Sequence, residues 1–214
     1  MRWVLLLLGL GCKPADAPPR ELPDPPAPAA LAAYLEEVAA YPPAARAEAM
    51  RGWQLQPAAW NRIVVPVFRD AYPAYTANFA AATAALAAQL HAGTITARRH
   101  YAGDPHATPG ELWLRWAVPT LYPSVVAELD GKPLDAVFLY DDHAWRTLAG
   151  LDRAISDAAT ALDPDCAGYL RAAGVPACAE VDYLIAESAM RTDRAAFTRA
   201  CSLAATRCGK RSPP

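Results

Sequence analysis

Lysine is scarce in this chain. Only Lys13, Lys132 and Lys210 occur, against seventeen arginines, and acids and bases nearly cancel to a formal net charge of −2. A protein that grips a phosphate backbone needs an excess of basic side chains to displace counterions, so nucleic acid is not expected as a partner. Long hydrophobic runs are lacking as well: the apolar stretch Val4–Leu10 falls well below the ~20 residues that cross a bilayer. Serine is sparse, and there is no G-x-S-x-G elbow, Walker loop, G-x-G-x-x-G or H-E-x-x-H, which removes the usual nucleophile, phosphate, dinucleotide and zinc-protease signatures. No cofactor is expected. What is present is apolar bulk: 214 residues at 54% hydrophobic suit one packed domain and exclude disorder throughout. The abundant Ala, Arg and Pro all use GC-rich codons, so Ala content alone argues no helix and periodicity must decide.

Arg2, a short apolar region and Gly11 precede Cys12, which reads as a signal peptide over residues 1–11. Gly9-Leu10-Gly11-Cys12 resembles a bacterial lipobox, although Gly9 stands where that family usually has Leu. The resemblance covers the leader only and implies that Cys12 is acylated, palmitate included, and becomes the new N-terminus. Lys13 after the cysteine implies, by the same resemblance, the outer membrane, facing the periplasm or the cell surface. Cleavage after Ala15-Asp16-Ala17 is the competing reading, with Pro18 against it. Residues 12–28 form a tether: seven prolines lie between Lys13 and Pro28. In polyproline II form those 16 residues would span up to ~50 Å.

Cysteine usage agrees with export. Setting Cys12 aside leaves Cys166, Cys178, Cys201 and Cys208 in the last fifty residues, an even set without the C-x-x-C spacing of a metal site. A helical hairpin turning near Thr192 sets Cys178 opposite Cys208 and leaves Cys166 with Cys201. Seven residues of helix rise ~10.5 Å, too far for Cys201 to reach Cys208.

Residues 29–214 read as a single α+β domain, helical over 29–92, an antiparallel sheet over 93–148 and helical again over 149–209. Leu31, Tyr34, Leu35, Val38 and Tyr41 share one helical face. A second helix is expected from Pro43 to about Leu55, and a third from about Pro73 to Ala92 with Tyr75, Phe79, Leu86 and Leu90 on its stripe. Four strands are expected: Thr94–Tyr101, Leu112–Val118 by strict alternation, Val125–Leu129, and Leu134–Tyr140 running on towards Trp145. Asp130-Gly131 supplies the hairpin turn. The order of elements is similar to that of periplasmic phospholipid-binding auxiliary proteins of lipid transport, a likeness of topology without a diagnostic residue.

Two constellations carry potential chemistry. His100, Asp104 and His106 before the second strand face Asp141, Asp142 and His143 on the last, a set suited to a divalent metal or acid/base work, though Asp and Gly are equally the residues of solvated bends. Trp113, Trp116, Tyr122, Phe138, Tyr140 and Trp145 crowd the sheet, where aromatics line an apolar pocket or simply fill the core. The leading reading is a non-enzymatic, lipid-anchored envelope protein, bound to the membrane through its lipid, whose domain binds a protein partner or a lipid-like small molecule. The alternatives are an exported metal-assisted hydrolase using the His/Asp set, and a structural scaffold of an envelope complex.

Overall fold

The computed structural model describes residues 26–100, 117–118, 124–166 and 179–208. Helix α1 (Pro28–Ala39) and helix α2 (Pro43–Met50) each begin with Pro in the first turn, where its missing N–H is no loss. The second helix stops five residues before the expected end: a 3-10 turn, Arg51–Trp53, takes over at Gly52, a poor helix former. Between Leu55 and Tyr72, where a simple turn was expected, lie helix α3 (Pro57–Ile63) and a 3-10 segment (Pro66–Ala71), again with Pro at their starts. Helix α4 (Tyr72–Gln89) follows, and Tyr75, Phe79, Leu86 and, just beyond its end, Leu90 are all buried, as the 3.6-residue stripe requires.

The sheet is a four-stranded antiparallel meander in the order β1 (Ile95–His100), β2 (Ser124–Leu129), β3 (Lys132–Asp141) and β4 (Ala144–Thr147). The class and strand number match the expectation, but the strands are not the expected four. Residues 112–116 lie outside the described residues, while Ala117 is helical and Val118 sits in a bend, its neighbour's carbonyl accepting from Val65 N–H at 2.8 Å. The fourth strand arises instead because the run from Leu134 to Trp145 breaks at Asp142 and His143. Both have positive φ, 48° and 59°, a conformation that Asp and His tolerate better than most residues, so the chain reverses there. Asp130 and Gly131 make the β2–β3 turn in the same left-handed region, as their sequence implies.

One sheet face, with Val125, Ala127, Leu129 and Phe138 buried, receives Leu31, Leu35 and Val38 of α1 in the main core. Helix α4 and helix α5 (Leu151–Leu162) pack together on the other side. The chain closes with an antiparallel hairpin of helix α6 (Ala179–Ala189) and helix α7 (Arg194–Cys208), docked by Phe197 edge-on against Phe68 at 5.2 Å. Cys166 is joined to Cys201, with 5.0 Å between their Cα atoms. Cys208 is disulfide-bonded too, and its expected partner Cys178 lies outside the described residues.

Tyr75 ties the helical and sheet halves together. Its buried hydroxyl accepts from Leu55 N–H at 3.0 Å and donates to Thr147 C=O at 3.2 Å. Burial lifts its pKa far above the ordinary phenol value of 10.0, with the Leu55 hydrogen bond opposing in part. In the unfolded chain the same phenol ionises near pH 10, so its contribution is complete below that pH and declines as pH rises towards the folded value. Unfolding free energy is therefore expected to drop above about pH 10 by up to ~1.4 kcal/mol per pH unit from this one group. Urea titrations of Tyr75→Phe should show a shallower alkaline decline, from a starting stability lowered by about 1–3 kcal/mol for the two backbone groups left unpaired.

Candidate functional site

A cleft lies between α4 and the sheet face opposite α1, with a volume of about 490 Å³. On α4 its wall is Ala81, Ala82 and Ala85, three methyl side chains on neighbouring turns, flanked by Asn78 and Leu86. Across from them stand Val126 of β2 and Val137 of β3, both buried. Alanine at these positions leaves room along the helix, since a longer side chain such as Leu at the half-buried Ala82 would add bulk to the cleft wall.

The cleft has a close backbone approach at one end and a hydrogen bond at the other. At one end Gly150, immediately before α5, sits at φ +80°, and a Cβ there would meet the Asn78 backbone and Cβ at 3.3 Å. Glycine takes that backbone conformation without strain and makes that approach without displacing Asn78. At the other end β2 and β3 slip register between Val126 and Glu128, and Asp135 within this bulge donates its N–H to Gln89 Oε1, at the last residue of α4, at 3.1 Å. Helix α4 is thus hydrogen-bonded to β3 at its C-terminal end and closely approached at Asn78 by the β4–α5 connection, with the alanine-lined gap between.

The rim is charged and nearly balanced: Arg98 and Arg153 against Glu128, Asp135 and Asp152. Among the described residues the lining presents no hydroxyl, thiol or imidazole, and its polar groups are carboxylates, guanidiniums and the Asn78 amide. A volume in the range of small-molecule sites, an apolar wall and a rim without a dominant sign of charge suit an uncharged or zwitterionic amphiphile better than a polyanion.

The residues singled out by sequence fall elsewhere. Asp141 is buried at the end of β3 and accepts a 2.6 Å hydrogen bond from Arg62 of α3, a pairing that fastens α3 to the sheet. Asp142 and His143 are exposed in the β3–β4 turn, and His100 ends β1 opposite Ser124. Asp104 and His106 lie outside the described residues, and among those described no group of three or more His, Cys, Asp or Glu is placed to hold a metal ion. Of the aromatic set, Phe138 is fully buried against the edge of Trp53 at 5.8 Å. Tyr140 and Trp145 are cross-strand partners with rings 5.3 Å apart, and they line a second, shallower depression on the α1 side of the sheet. Trp113, Trp116 and Tyr122 lie outside the described residues. Sequence reasoning missed the alanine cleft altogether, and its only trace in the sequence is the missing bulk between Ala80 and Ala88 on the side of α4 away from Tyr75 and Phe79.

Comparison with protein-family models, curated proteins and solved structures finds no match.

Proposed function

We propose that this chain is a non-enzymatic, lipid-anchored binding protein of the bacterial envelope, held to a membrane through Cys12, whose domain carries a neutral or zwitterionic monoacyl lipid in the α4 cleft. The observation that supports this reading is the cleft itself: a trough lined by alanine and valine, with a mixed-charge rim to meet a headgroup. Each methylene that leaves water for such a trough contributes about 0.8 kcal/mol. The anchor rests on the lipobox-like segment, and the two expected disulfides suit the oxidising compartment into which it would be delivered.

Native mass spectrometry and calorimetric titration with 1-palmitoyl lysophosphatidylcholine below its micellar concentration test the ligand. One lipid per chain is the expected result. Ala82→Trp, placing an indole in the trough, should weaken binding by at least about tenfold, the equivalent of roughly two lost methylenes, while circular dichroism is unchanged. No adduct with zwitterionic, neutral or anionic monoacyl lipids, or equal affinity in Ala82→Trp, overturns the ligand assignment. The anchor is tested separately by palmitate labelling and by fractionation of Cys12→Ala, which should move from the membrane to the soluble fraction.

A further inference from the structure

We propose that the second depression is the docking site of this chain's own proline-rich segment, with Pro23-Asp24-Pro25-Pro26 lying along it in polyproline II form. Four aromatic residues line it: Tyr34 from α1, Trp53 from the 3-10 turn, and the Tyr140–Trp145 pair from β3 and β4. Tyr34 and Trp53 stand 5.5 Å apart, and Trp53 Nε1 donates to Tyr34 Oη at 2.8 Å. That bond fixes the indole and leaves the Tyr34 proton, which meets no acceptor among the described residues, to offer to a carbonyl. Polyproline II segments make no internal hydrogen bonds, so their carbonyls are open to such donors, and aromatic-lined grooves are the surfaces that take P-x-x-P segments.

The occupant is chosen by where the chain enters the fold. Pro26 already lines this depression. Ala27, next in the chain and immediately before α1, has φ −53° and ψ 144°, close to polyproline II values. Upstream stands Leu22-Pro23-Asp24-Pro25-Pro26. Three residues make one turn of that helix, so in the proposed docked form Pro23 would fall on the same edge as Pro26, about 9 Å back along the axis. A segment joined directly to the rim of its site experiences a millimolar effective concentration, so even a contact too weak to hold a free peptide is populated in cis. The inference is independent of what the α4 cleft binds, because the two sites lie on opposite faces of the sheet.

Trypsin cleavage after Arg20, compared with the free peptide of residues 13–27, tests the docking in the full chain, together with the indole NMR signals of Trp53 and Trp145. Docking should slow cleavage at Arg20 by about tenfold relative to the peptide. Pro23→Gly with Pro25→Gly leaves the groove untouched and should abolish that protection relative to its own matched peptide while shifting both indole signals. Tyr34→Ala should abolish it from the groove side, with the proline variant as the control free of any folding defect. Cleavage as fast as in the free peptide, with indole signals indifferent to the proline variant, overturns the proposal. Protection that vanishes on dilution assigns the groove to a second copy, and indole shifts produced only by an added proline-rich peptide assign it to a partner; either overturns docking in cis.

Discussion

Replacing Cys166 and Cys201 together by alanine is expected to lower stability by about 4 kcal/mol, which follows from the chain-entropy relation for a closed loop of this size. The two cysteines are 35 residues apart, and both are fully buried. The bond joins the segment after α5 to the middle of α7, and through α7 it holds the whole C-terminal hairpin against the body of the domain. Asp163 reinforces the same junction: one carboxylate oxygen accepts from Asp165 N–H and the other from Ser202 Oγ, both at 2.9 Å. In a domain of this length, 4 kcal/mol corresponds to a fall in Tm of roughly 8–16 °C. Calorimetry of the double variant measures it cleanly, whereas adding a reductant to the native chain would also open the bond at Cys208. A Tm unchanged by the double substitution would mean that hairpin packing, with Phe197 on Phe68, suffices alone.

That junction also shows which features were legible in the sequence and which were not. The pairing of Cys166 with Cys201 follows from helix geometry because the hairpin of α6 and α7 has clear stripes and a turn at Thr192. In the same way α1 and α4 were legible from Leu31, Leu35 and Val38 and from Tyr75, Phe79 and Leu86, side chains large enough to mark a face. Helix α3 was not, since seven residues give too few turns to establish a period. The β3–β4 turn escaped because Asp142-His143 lacks the glycine that made Asp130-Gly131 readable. Asp141 stood out as a polar residue on a strand, but its partner Arg62 lies 79 residues away and no local pattern links them. The α4 cleft is the hardest case: in a chain where alanine is everywhere, three alanines facing two valines have no signature until the tertiary structure sets them opposite each other.

Trp60→Ala is expected to cost about 3–5 kcal/mol, the largest loss expected from truncating one of the described side chains. Trp60 is 1% exposed and is, among the described residues, the largest fully buried side chain. Its ring stacks on Tyr75 at 4.9 Å and meets Tyr72 edge-on at 5.4 Å. Its Nε1 donates to Arg69 C=O at 2.9 Å, closing the loop from α3 into the following 3-10 segment. Truncation therefore opens a cavity beside Tyr75 and leaves a half-buried carbonyl without its donor. Trp60→Phe separates the two effects: it keeps a ring in the stack and loses the hydrogen bond, and should cost only about 1–3 kcal/mol. Trp60 and Tyr75 are in contact, and Tyr75 in turn carries the Leu55 and Thr147 hydrogen bonds, so the two positions should not behave independently. A cycle of Trp60→Ala, Tyr75→Phe and the double variant in urea is expected to give a coupling energy of about 0.5–3 kcal/mol. Strict additivity would show that the Tyr75 hydroxyl is positioned by α4 alone, and the stacked ring would then be filling space without aiming the bridge between helices and sheet.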